Sequence, residues 1–113
     1  MKIERGDLVL VDFDPTKGAE IKKTRPAIVV TNNIANKFSR VITIVPITSQ
    51  KLDKIYPHEV LLPKQTGLLK DSKANAAQLR AVDKLRIVKR LGTIGASKLK
   101  ELNIAMKLHL GIE

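Results

Sequence analysis

Apolar residues along this chain fall into short runs separated by polar, turn-forming stretches. Leu8–Val11 and Phe13 predict a first strand over Asp7–Phe13, entered through Gly6. Asp14, Pro15, Lys17 and Gly18 mark a long loop, Asp14–Thr24. A second strand is predicted over Arg25–Thr31, with Pro26 near its start, where a residue lacking an N–H is tolerated. Asn32–Ser39 reads as a turn with one helical turn. Arg40–Ile47 is β-branched and apolar, and predicts a third strand ending at Pro46-Ile47-Thr48-Ser49.

Beyond a polar, basic loop, Gln50–Pro57, a short strand over His58–Leu62 is stopped by Pro63. Gly67–Leu69 and Lys73–Val82 predict another strand pair, although Ala74, Ala76 and Ala77 fit a helix as well. Lys84–Thr93 continues the strand pattern. The last element differs: Ser97 is placed to cap a helix, and Leu99, Leu102, Ala105, Met106 and Leu110 recur at helical spacing. Many short strands and one amphipathic C-terminal helix make a mainly β fold with helices (α+β). The expected form is a small antiparallel barrel or curled sheet with helical cover.

Length and composition narrow the picture. The 113 residues suffice for one domain, 1–113, with a core of its own. There is no cysteine, so disulfides, thiolate nucleophiles and thiolate metal sites are excluded. With two histidines and scattered aspartates, no metal site or cofactor is expected. The amino terminus shows no apolar signal region, and no apolar run approaches the roughly 18 residues of a membrane span, which predicts a cytoplasmic protein. Charge is more telling: 21 basic against 11 acidic residues, a formal +10, favours a polyanionic partner. Phe13, Phe38 and Tyr56 are the only aromatics, too few for a base-stacking platform.

Glu20, Arg25 and Thr48 all fall at or near predicted strand ends. Cleaving RNA without a metal requires a base for the 2′-hydroxyl, a cation for the phosphoryl oxygens and a donor for the departing 5′-oxygen. Arginine suits the second role because its planar fork holds two phosphate oxygens. Glutamate can act as base, and a threonine hydroxyl can donate to a phosphoryl oxygen.

The segments Gly6-Asp7, Asp12–Glu20, Thr24–Val30 and Pro46–Ser49 resemble, in order, signatures of the MazF/PemK family of toxin endoribonucleases. Tyr56-Pro57-His58-Glu59-Val60 is similar to that family's Tyr-Pro-Phe-Glu-Val, and Gln78–Asp83 to its Gln-Ile-Arg-Thr-Ile-Asp. The resemblance implies a dimeric SH3-like barrel that cuts single-stranded RNA at short sequences without a metal. It also implies neutralisation by an acidic, partly disordered antitoxin. By the same resemblance Arg25 and Thr48 take catalytic positions and Glu20 the acidic position beside them. Thr16, Lys17, Lys22, Lys23, Thr24, Ser49, Gln50, Lys51, Gln78 and Arg80 are then expected along the RNA. This chain departs from the pattern at Ile21-Lys22-Lys23, where small polar residues are usual, at Ala77, where many members carry an acid, and at Ala19, where some carry a histidine. Two other readings remain: a non-catalytic nucleic-acid-binding barrel, and a gyrase poison of the CcdB type. The second is disfavoured by a carboxy-terminal tail, Leu110–Glu113, without an aromatic.

Overall fold

The computed structural model describes residues 1–13, 24–65 and 67–113. Its elements are β1 (Asp7–Asp12), β2 (Thr24–Val29), α1 (Asn33–Phe38), β3 (Val41–Thr48), β4 (Glu59–Leu62), β5 (Ser72–Asn75), β6 (Arg80–Asp83), β7 (Ile87–Thr93) and α2 (Gly95–Leu110). All described strand pairings are antiparallel, in the order β4-β5-β3-β2-β1-β7, with β6 also on β3.

β3 joins the two parts of the sheet. Its first half, Val41–Ile44, pairs with β6, and its last two residues, Ile47 and Thr48, pair with Ala74 and Lys73 of β5. Both faces of the sheet are apolar. Leu8, Ile28, Val45 and Ile47 pack on one side with Val60, Leu62, Leu68 and, from α2, Leu102 and Ala105. Val9, Val11, Ala27, Val29, Ile42 and Ile44 pack on the other with Ile3, Val82, Ile87 and Phe13. Burial on both faces is why β1 and β2 read as continuous apolar runs rather than as alternating ones.

Three expectations are corrected. Gly67–Leu69 is not a strand: Gln65 and Leu68 exchange backbone hydrogen bonds of 3.2 and 2.9 Å across a tight turn. Gly67 in that turn has φ +93, and a Cβ there would stand 2.9 Å from the Leu91 carbonyl oxygen. Only glycine meets both conditions. Lys73–Val82 is not one strand either. The Asn75 side chain accepts the Ala77 N–H at 2.9 Å and caps a single 3-10 turn, Ala76–Gln78, which separates β5 from β6. Such local side-chain bonding competes with the ladder.

The carboxy-terminal helix starts at Gly95, earlier than Ser97, where the Thr93 hydroxyl accepts the Gly95 N–H at 3.3 Å. Leu99, Leu102, Ala105 and Met106 face the core, but Leu110 is exposed, as are Ile104 and Leu108. Arg5 ties this helix to the sheet, donating to the Val30 carbonyl at 2.8 Å and to Asn103 Oδ1 at 2.5 Å. Among the described residues, no helix is long and apolar enough to cross a membrane.

Candidate active site

A cavity of about 650 Å³ opens where β1, β2, β3 and β7 meet the segment that leads into β5. Leu10, Pro26, Ile47, Leu68 and Leu91 form its apolar lining, and Arg25, Lys70 and Lys89 bring positive charge to it. The ladder explains the gathering. Leu10 of β1 lies opposite Pro26 on one side and Lys89 on the other, so the three span adjacent strands in one row. Arg25 is next to Pro26 and opposite Val11.

Thr48, Ser49 and Gln50 enter the same cavity as β3 ends. Thr48 is opposite Lys73 of β5, which anchors it in the ladder. Its Oγ1 accepts the Gln50 N–H at 3.1 Å. A hydroxyl that accepts from its own turn still has a proton to donate elsewhere. Among the described residues, nothing holds the Arg25 guanidinium by a hydrogen bond or ion pair. The arrangement thus offers a guanidinium, a hydroxyl donor and two ammonium groups around an apolar floor. It suits an anion flanked by a flat apolar group.

The other expected site residues lie elsewhere. Thr24 begins β2 at an exposed position opposite Asp12, one residue from Arg25. Lys51 is exposed, and its backbone is left-handed, with φ +55. Gln78 ends the 3-10 turn, exposed. Arg80 starts β6 opposite Ile44, and its guanidinium lies 5.2 Å over the Phe13 ring. None of these four lines the cavity. Thr16, Lys17, Glu20, Lys22 and Lys23 lie outside the described residues. Lys70 and Lys89 have no distinguishing mark in the sequence. Each is one lysine among many there, and only pairing across β1 and the turn at Gly67 brings them to Arg25.

Beside the cavity, the loop after β3 rests on a buried ion pair. Lys73 Nζ is 3.0 Å from Glu59 Oε2, with both side chains less than a tenth exposed. Burial alone would raise the Glu59 carboxyl, but the Tyr56 N–H and the Lys73 ammonium outweigh it, with a smaller contribution from His58. The net direction is below the usual carboxylate range. Among the described residues, no three His, Cys, Asp or Glu side chains come together as a metal-binding group.

An antiparallel sheet with two helices and a cationic cleft at its strand ends defines a small α/β protein built to engage a polyanion. Residues 4–110 match the family described as the PemK-like, MazF-like toxin of type II toxin-antitoxin system, and the chain belongs to that family. It is 41% identical to endoribonuclease MazF9 of Mycobacterium tuberculosis, across 97% of this chain and 98% of that protein. Among solved structures it is similar to MazF in a MazE–MazF complex from Deinococcus radiodurans (Form-II), with TM-score 0.84, 28% identity, and 100% of this chain and 99% of that one covered. A mycobacterial endoribonuclease in complex with its cognate antitoxin shares the fold, with TM-score 0.82 at 21% identity over 98% of this chain and 97% of that one.

Proposed function

We propose that this toxin is a sequence-specific, metal-independent endoribonuclease that cuts single-stranded RNA, messenger RNA included. The observation that carries the reading is the meeting of Arg25 and Thr48 in one cavity with cations around an apolar floor. A scissile phosphate against Arg25 has its charge met by the planar fork, and Thr48 donates to a phosphoryl oxygen. The apolar floor beside it takes the face of a neighbouring base. Lys70 and Lys89 are placed to meet adjacent phosphates.

The attack is by the RNA's own 2′-hydroxyl. Its proton passes to a base, the 2′-oxygen bonds to phosphorus, and the bond to the 5′-oxygen breaks as that oxygen gains a proton. Products carry a 2′,3′-cyclic phosphate and a 5′-hydroxyl. With Ala77 unable to accept a proton, Glu20 is our choice for the base. Thr24, Ser49, Gln50, Lys51, Gln78 and Arg80 extend the contact with RNA beyond the scissile phosphate, and so do Thr16, Lys17, Lys22 and Lys23, which lie outside the described residues. In this reading the curled sheet is an SH3-like barrel that pairs as a homodimer in the cytoplasm. An acidic, partly disordered antitoxin competes for the groove, which is supported by the MazE–MazF complex of the Deinococcus relative and by the excess of basic residues.

The test is incubation with a long RNA in EDTA, followed by mapping of the new ends. Discrete cuts ending in a cyclic phosphate, with DNA of the same sequence intact, support the scheme. Cleavage that EDTA abolishes and magnesium restores overturns it, and binding without cleavage favours the non-catalytic barrel.

A further inference from the structure

Lys73 is the most completely bonded cation among the described residues, and it lies in the interior. Its Nζ has three acceptors: Glu59 Oε2 at 3.0 Å, the Lys51 carbonyl at 2.8 Å and the Lys54 carbonyl at 3.3 Å. An ammonium has three N–H groups, so all are used. Two of the three partners belong to the loop between β3 and β4. Glu59 holds the same loop from its other end, its Oε1 accepting the Tyr56 N–H at 2.9 Å.

A buried ammonium needs acceptors for all three of its N–H groups, and here two of them are carbonyls of the loop rather than of the strands. Here Lys51, Lys54 and Tyr56 are all tied to one ion pair within β4 and β5. Lys51 stands directly after Gln50, in a left-handed conformation uncommon for a residue with a Cβ. In that conformation its carbonyl accepts from Lys73 at 2.8 Å. The loop begins at Thr48 and Gln50, both on the cavity wall.

We infer that the buried Lys73–Glu59 pair is a positioning device, which fixes the loop 49–57 so that Gln50 and the Thr48 turn face the RNA in one register. The inference rests on the ribonuclease reading above and adds to it a residue pair that touches no substrate. Lys73 fixes the near part of the loop and Glu59 the far part. Together they hold the cavity's polar wall without a contact of their own to the phosphate. What they set is selectivity between neighbouring nucleotides, through the geometry of Ser49 and Gln50.

The test uses the double variant Lys73→Met/Glu59→Gln, which removes both buried charges with little change in side-chain volume. Amide hydrogen exchange across 50–56 and cleavage of a panel of RNAs differing beside the cut are measured together. We expect faster exchange in 50–56 with β1, β2 and β3 unchanged, a fall in kcat/KM of about 10- to 100-fold on the preferred RNA, and a smaller fall on the others. The preference ratio therefore narrows. A folded variant with unchanged exchange and an unchanged ratio overturns the proposal. If the double variant does not fold, Glu59→Gln alone removes the ion pair that seats the Lys73 ammonium against the loop carbonyls, and is expected to show the same changes at smaller size. Their absence there overturns the proposal equally. Should the unmodified protein leave RNA uncut, the ribonuclease reading fails, and the exchange comparison alone decides whether the pair holds the loop.

Discussion

Thr48 and Gln50 are joined by a hydrogen bond of 3.1 Å, from the Gln50 N–H to the Thr48 hydroxyl oxygen, at the point where β3 enters the cavity. The bond orients the threonine oxygen and leaves its proton available for donation. Thr48→Val keeps the shape and removes both functions, and should lower single-turnover cleavage about 10- to 100-fold. Thr48→Ser keeps both and should retain most of the rate.

Arg25 is expected to matter more. In the proposed scheme Arg25→Ala removes the cation that meets the developing phosphorane, and we expect a loss on the order of 10²–10³ in kcat. Arg25→Lys should restore little, because a point charge does not replace a two-pronged donor. Steady-state cleavage with a fluorescent RNA checks both, and a lysine variant near the normal rate would show that charge alone suffices.

Lys70 and Lys89 should act through affinity. Replacing both by alanine is expected to weaken RNA binding across all sequences and to reduce the slope of log K against log salt by about 0.7 for each phosphate that is no longer neutralised. Binding isotherms at several salt concentrations measure this. A change in base preference with the slope intact would assign these lysines a different role.

Gly67→Ala introduces a Cβ at φ +93, 2.9 Å from the Leu91 carbonyl oxygen. The backbone of β7 must shift, and we expect a loss of about 1–3 kcal/mol in a urea melt. Cleavage should fall too, since Gly67 and Leu91 both line the cavity.

Acid should loosen the loop after β3. The Glu59 carboxyl is lowered in the fold, so below the usual carboxylate range the unfolded chain binds a proton that the folded one does not. The stabilisation from Glu59 is therefore complete at neutral pH and is lost as pH falls below about 4.5 and through the folded value. Glu59→Gln should reduce the dependence of stability on pH in that range, measured by thermal melts from pH 3 to 6.

Much of the fold was legible because β1, β2 and β3 bury both faces and so stand out as apolar runs. The elements that misled depend on single local bonds. Asn75 turns an alanine-rich stretch into two strands and a 3-10 turn, and nothing in Ala74–Ala77 announces it. Gly67 reads as a strand start because its neighbours are leucines, and only its approach to Leu91 shows the turn. At the site, Arg25 and Thr48 could be picked out because each ends a predicted strand. Lys89 could not, since the pairing of β1 with β7 contains two register shifts that no periodicity encodes, and neither could Lys70, which is brought in by the turn at Gly67. Lys73 was hidden differently: a lone lysine in a strand suggests a solvated surface, not an interior clamp.

The cavity floor is also the core. Ile47 and Leu68 belong at once to the cavity wall and to the packed cluster beneath α2. Any residue exchanged there to admit a different base disturbs the packing that keeps the chain folded. The margins, at Ser49, Gln50, Lys70 and Lys89, carry no such burden. New RNA preferences can therefore arise cheaply only around the edge, while the depth and chemistry of the central slot stay inherited. Descendants of this toxin should diverge in what they read beside the cut and agree in how they hold it.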